Sequence, residues 1–263
     1  MTAAELLRAG KLADALKALE AEVRTAPAAA KHRVFLFQLL CIIGQWERAL
    51  TQLNVAADLD PGTLLMAQVC RQALACEALR TDIFAGKRTP LILGEPEHWV
   101  GSMVQACELD ARGEHSAAAS LRASALEAAP AIAGTIDDQP FDWIADADER
   151  LGPIVEAIID GRYYWIPFPH IHTLSLEAPT DLRDLVWAPA TFTWANGGEA
   201  VGLIPVRYPA SEHSPADAIR LARRTDWSTG PGPARGLGQR LWATDAGEFP
   251  ILQTRRILLG QPA

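Results

Sequence analysis

Basic charge is what this sequence lacks first. Its 24 Lys and Arg face 32 Asp and Glu, a formal net charge of −8. A phosphate-binding surface needs a basic face, and the only dense basic text is Arg220–Arg224 with Arg255-Arg256. Nucleic acid is therefore not expected as the partner. Long apolar runs are missing as well. The longest, Val34 to Ile43, is interrupted by Gln38, and a bilayer span needs about 20 apolar residues. The opening MTAAELLRAGKL is charged and amphipathic, without the apolar core of a secretory signal. No membrane contact and a cytoplasmic location are the expectation.

Cysteine is scarce and badly spaced for chemistry. The four (Cys41, Cys70, Cys76, Cys107) form no C-x-x-C and no zinc-like pattern, so they read as reduced thiols buried in helices. Catalytic signatures are absent too: there is no G-x-S-x-G elbow, no P-loop and no H-E-x-x-H. The glycine-rich text from Gly230 to Gly238 has the wrong spacing for a dinucleotide loop, and its prolines remove N–H groups that would hold phosphate. No cofactor and no metal are expected.

What is present divides in two. Thirteen of the 18 prolines and six of the eight tryptophans lie after residue 135, whereas all four cysteines lie before it. The expected architecture is α+β: an all-helical domain over 1–135, then a β-rich, mostly antiparallel domain over 136–263 with a few short helices. The helical half repeats. Gly10, Ala15 and Pro27 sit at offsets of 0, 5 and 17. Gly44, Ala49 and Pro61 reproduce them 34 residues later, and Gly113, Ala118 and Pro130 do so again. A 34-residue period of paired helices is the tetratricopeptide period. The Gly permits the turn, the Ala lets the second helix approach closely, and the Pro ends it. The Trp and Gly of a full repeat signature are missing from the first helices, so the domain is tetratricopeptide-like. Residues 62–96 break the period with one long helical pattern (Leu65, Val69, Ala73, Cys76, Leu79, Ile83) and a loop.

Residues 150–209 carry all three tyrosines. A short helix is expected from about Gly152 to Ile159, then strands at 163–168 and 172–178. Asn196-Gly197 predicts a type I′ hairpin turn, which needs positive φ at both centres. A basic helix over 215–224, a flexible loop over 229–238 and last strands around the turn at 245–248 complete the expectation.

Three groups could carry chemistry or recognition. His170 and His172 share a strand face but lack a nearby third metal ligand. The acids Asp137, Asp138, Asp142, Asp146, Asp148 and Glu149 could pair for acid–base work, or serve as caps and a solvated face, with Asp142 or Asp146 at a helix N-terminus. Asp181 and Asp184 flank Arg183, either as a local ion-pair cluster or as a charged surface beside an exposed Trp187. Because Trp, Tyr and Arg dominate interface energetics, Arg162, Tyr163, Trp165, Asp181, Arg183 and Trp187 are the candidate partner-binding residues. The alternative for the aromatics is the core of the β-rich half.

The text DDQPFDWIADADERLGPIVEAIIDGRYYWIPF, with PTDLRDLVWAPATFTWANGGE and VGLIPVRYP, resembles the ImpE/TagJ family of accessory proteins of bacterial type VI secretion systems. The resemblance spans nearly the whole chain. It implies a non-enzymatic role in the cytoplasm and a partner in the small TssB-like sheath subunit, held through a helix near that subunit's N-terminus. It further implies a link to the ClpV-type ATPase that recycles the sheath. Stacked helix pairs form grooves suited to such a helix. Two other readings stay open: a hydrolase using residues 137–149 with His170 and His172, and a structural subunit that forms homo-oligomers through its aromatics.

Overall fold

The computed structural model describes residues 1–95 and 97–260. Seven helices come first: α1 (Ala3–Arg8), α2 (Leu12–Thr25), α3 (Ala30–Ile42), α4 (Trp46–Leu59), α5 (Leu64–Phe84), α6 (His98–Ala111) and α7 (His115–Ala128). The repeat spacing becomes three helical hairpins, α1–α2, α3–α4 and α6–α7. Their turns hold Gly10, Gly44 and Gly113 at φ +72°, +72° and +81°, a conformation that would strain any side chain. Ala15, Ala49 and Ala118 are buried, where a larger side chain would push the paired helices apart. The fourth unit is α5, a single helix without a hairpin partner, which packs on α4 and α6 and also reaches strand β6 of the sheet.

One short strand lies between α5 and α6, and the others begin six residues beyond α7. A nine-stranded sheet runs in the order β1 (Leu91–Ile92), β6 (Arg162–Pro167), β5 (Ile154–Ile159), β9 (Glu199–Pro205), β8 (Trp187–Trp194), β7 (Ile171–Leu176), β14 (Arg256–Leu259), β2 (Gly134–Ile136), β3 (Gln139–Phe141). Every pairing in it is antiparallel except β1 on β6. A three-stranded sheet holds β13 (Gly247–Pro250), β12 (Leu241–Thr244) and β4 (Ile144–Asp146), in that order. A hairpin pairs β10 (Thr225–Ser228) with β11 (Arg235–Gly238).

Several sequence expectations are corrected. Residues 154–159 form strand β5 rather than a helix. They are buried throughout, and a strand covered on both faces loses the alternation that would reveal it. Asp142 and Asp146 cap no helix, because 144–146 is strand. The Asn196-Gly197 turn is not type I′: Gly197 is at φ +83° and Asn196 is not at positive φ. The type I′ pattern of two positive φ values falls instead at Asp137-Asp138 (φ +47°, +66°) between β2 and β3 and at Asp160-Gly161 (φ +49°, +72°) between β5 and β6. The basic helix shrinks to α8 (Asp217–Arg220), and Arg235–Gly238, expected in a loop, is strand.

Two cores sit on the two faces of the main sheet. One joins the inner residues of the helices to Ile154, Ile158, Tyr163, Trp165, Val186 and Trp187, so it crosses residue 135. The other packs Phe168, Leu174, Phe192 and Ile257 against Trp242. Residues 207–223 tie the layers further by capping helices from outside. Arg207 donates to the carbonyls of Cys41 (3.2 Å) and Ile42 (2.6 Å) at the end of α3. Arg223 donates to those of Leu7 and Arg8 at the end of α1. Asp217 accepts from Leu12 N–H at the start of α2, at 3.0 Å. Each satisfies a helix-end group that has no partner within its own helix.

Candidate docking groove

The apolar stripe predicted on α5 is real, but the sheet covers only part of it. Ala73, Cys76 and Ile83 are buried in the core that the helices share with the sheet. One and two turns earlier on the same stripe, Val69 is 41% exposed and Leu65 is 76% exposed, with Leu64 beside them at 53%. Across from this bare stretch, β9 presents Val201, 73% exposed, and Leu203 on one face, since residues two apart on a strand point the same way. Pro189 and Thr191 of β8 stand opposite them in register. Helix and sheet together bound a groove of about 350 Å³, lined by Leu65, Met66, Val69, Arg183, Trp187 and Leu203.

Two of the six candidate residues meet there, and a third borders them. Trp187 is buried in the groove floor, not exposed as one reading of the sequence had it. Arg183 lines the groove and is held at 2.9 Å by exposed Asp181. Asp181 and Asp184 form a reciprocal capping box around the 3-10 turn Leu182–Leu185. Arg162 is exposed at the start of β6, outside the groove. Tyr163 and Trp165 are fully buried and act from behind.

They do so through a buried polar chain. Trp165 Nε1–H donates to Tyr163 Oη (2.9 Å), and Tyr163 donates to Glu156. Arg80 binds Glu156 with Nε and Nη2 (2.6 and 3.0 Å) and pairs with Glu77 at 3.5 Å. Glu77 Oε1 accepts from Trp187 Nε1–H at 2.8 Å. The groove floor is thereby fixed by bonds that begin on α5. Arg240 ties the same Glu156 to Asp146. Burial alone would raise the Glu156 carboxyl, but Arg80 and Arg240 hold it down to about 2. Burial raises Asp146 to about 7 against the pull of Arg240, and burial also raises Glu77. Cys70, a buried thiol on the groove wall, is pushed up to about 11 by burial, which makes it inert as a nucleophile.

The groups considered for chemistry do not converge. His170 Nδ1 bonds the Leu93 carbonyl at 2.7 Å and His172 Nδ1 the Leu259 carbonyl at 3.2 Å. Among the described residues no three His, Cys, Asp or Glu stand where they could hold a metal. The acids scatter into separate tasks. Asp137 accepts from the N–H groups of Arg255 and Arg256, Asp146 pairs with Arg240, and Asp148 pairs with Arg150 at 2.5 Å. Asp142 and Glu149 are exposed. A cleft of about 310 Å³ between α5 and β11 does gather Glu77, Arg80, Arg150, Glu212, His213 and Arg235. Both inner arginines there are already paired with carboxylates. No helix among the described residues is long and apolar enough to cross a membrane.

The sequence missed Leu64 and Val201, whose exposure only packing reveals. Leu65 and Val69 were visible as part of a stripe, with nothing to say that the stripe would stay uncovered.

Fold and groove define a helical-repeat protein that shares its core with a β-sheet unit and leaves an apolar channel open between them. The family model described as ImpE protein matches residues 138–258. The type VI secretion system accessory component TagJ of Pseudomonas aeruginosa is 51% identical over 257 residues, 98% of this chain and 90% of that protein. The X-ray crystal structure of a Vibrio parahaemolyticus protein superposes with a TM-score of 0.89 at 28% identity, covering 99% of this chain and 98% of that one. The chain belongs to the ImpE/TagJ family.

Proposed function

We propose that this protein is a non-enzymatic accessory protein of a bacterial type VI secretion system. It works in the cytoplasm, holds the small TssB-like subunit of the contractile sheath and links the sheath to the ClpV-type recycling ATPase. The N-terminal helix of the sheath subunit lies in the groove between α5 and β8–β9. Residues 1–135 supply one wall and residues 136–263 the other, so both units are needed for the contact. Trp187 and Arg183 form the floor and side, with Asp181 at the edge.

The observation that carries this reading is the unfinished stripe on α5. Exposed large apolar side chains clustered at one groove mark an interaction site. A helix laid there would bury Leu65 and Val69 at i, i+4 spacing against its own apolar face. The kinship with a named secretion accessory component supports the assignment of the system. A hydrolase centred on residues 137–149 with His170 and His172 has no such support, since those groups lie apart.

The test is isothermal titration of the full-length protein with a synthetic peptide of the cognate sheath subunit's N-terminal helix. Saturable binding is expected, weakened about tenfold or more by Leu65→Glu, a loss of about 1.4 kcal/mol. An empty titration with both components folded would sink the proposal.

A further inference from the structure

A second apolar groove shares no residue with the first. It lies between the end of α7 and the strand β4, with a volume of about 410 Å³, and Leu126, Ala129, Pro130, Trp143, Ile144 and Pro153 line it. Leu126 is 39% exposed and Trp143 41% exposed, unusual for large apolar side chains that face each other across a channel. Both are held in place. Leu126 leans on Gly152, where a Cβ would come within 2.8 Å of its Cδ2. The N–H groups of Asp142 and Trp143 are fixed by Asp245 Oδ1, at 2.7 and 3.4 Å.

One wall of this groove is a strand edge. In its sheet β4 pairs only with β12. Ala147 N–H donates to the Leu241 carbonyl, so Ala147 and Leu241 form a hydrogen-bonded pair, and so by alternation do Ala145 and Ala243. The N–H and C=O of Ile144 and Asp146 therefore point away from β12. Asp146 N–H is taken by the Gly152 carbonyl at 2.6 Å. Outside the β4–β12 ladder, the N–H and C=O of Ile144 make no hydrogen bond among the described residues.

Charge narrows the occupant. No Lys, Arg or His lines the groove, whereas Glu149 does. Asp142 and Asp245 stand exposed beside Trp143. We infer that this groove is a second docking site, which takes an extended segment of another protein that alternates apolar and basic side chains and adds to β4 as a short strand. The main chain of the segment bonds Ile144, its apolar side chains rest on Trp143 and Leu126, and its basic ones meet Glu149, Asp142 and Asp245. The protein would then be bivalent, with a helix in one groove and a strand in the other.

The probe is a fluorescein-labelled, amidated Lys-Val-Lys-Val-Lys-Val peptide, titrated with the full chain and read by anisotropy. Saturable binding is expected, falling with added salt. Trp143→Ala and Leu126→Glu, both at exposed positions, each weaken it about tenfold, and Leu65→Glu in the first groove leaves it unchanged. N-methylation of alternate peptide amides abolishes binding, because strand addition depends on main-chain bonds. Equal binding by the Glu-Val analogue, indifference to N-methylation, or no effect of Trp143→Ala would each overturn the inference. So would concentration-dependent self-association of the protein lost in Trp143→Ala, which would give the groove to a second copy of this chain.

Discussion

The two ends of α5 carry the same apolar stripe and have opposite fates. From Ala73 to Ile83 the stripe is buried, apart from half-buried Leu79, and shares in the main core. From Leu64 to Val69 it runs past the covering strands and meets water. The buried end holds Arg80 and Glu77, the roots of the polar chain that fixes Trp187; the bare end overlooks the groove that Trp187 floors. One end of the helix is built into the fold and the other is left to solvent.

Breaking the buried end should cost most. Arg80→Ala leaves Glu156 and Glu77 buried without their shared cation, and removal of one partner of a buried pair costs about 3–5 kcal/mol. Urea denaturation should show that loss. Ala73→Leu forces a larger side chain into the closed core, at about 1–3 kcal/mol by the same assay. At the bare end the order reverses: Leu65→Glu should shift stability by no more than about 0.5 kcal/mol while weakening the sheath-helix peptide about tenfold. A stability loss there as large as at Ala73 would mean that the stripe is not bare in solution.

The buried end also sets the pH dependence. The Glu156 carboxyl falls from 4.5 to about 2 on folding. Its contribution is therefore full above 4.5 and lost as pH drops towards 2. Asp146 goes the other way, from 3.8 to about 7. The folded protein keeps a proton there that the unfolded chain releases, so this contribution weakens as pH rises through that window. Asp146→Asn should remove this slope between about pH 4 and 7 in urea midpoints, and leave the acid limb set by Glu156.

Much of the fold was legible. Gly10, Gly44 and Gly113 announced three helix hairpins because a positive φ at a tight turn is a local demand that the sequence must meet locally. Strands β6 and β7 fall close to the expected 163–168 and 172–178. By contrast, β5 was read as a helix, since a strand buried on both faces offers no period to distinguish. Asp160-Gly161, a turn dipeptide, went unused beside it. Of the six candidate residues, Arg183 and Trp187 line the groove, and Asp181 stands beside it through its ion pair with Arg183. Tyr163 and Trp165, chosen for their residue type, serve in the interior, because aromatic and polar-tipped side chains are as apt for a buried hydrogen-bonded chain as for a surface.

By itself the sequence determined the helical hairpins, the switch to strands after α7 and the absence of catalytic spacing, all properties of neighbours within a turn or a strand. Only the tertiary structure decided where α5 leaves the sheet, which carboxylates share Arg80 and Arg240, and that β4 lies at the edge of its sheet. Those outcomes depend on groups up to 127 residues apart, as when Arg80 donates to the Arg207 carbonyl. Burial is a property of what packs around a side chain, and no local pattern encodes it.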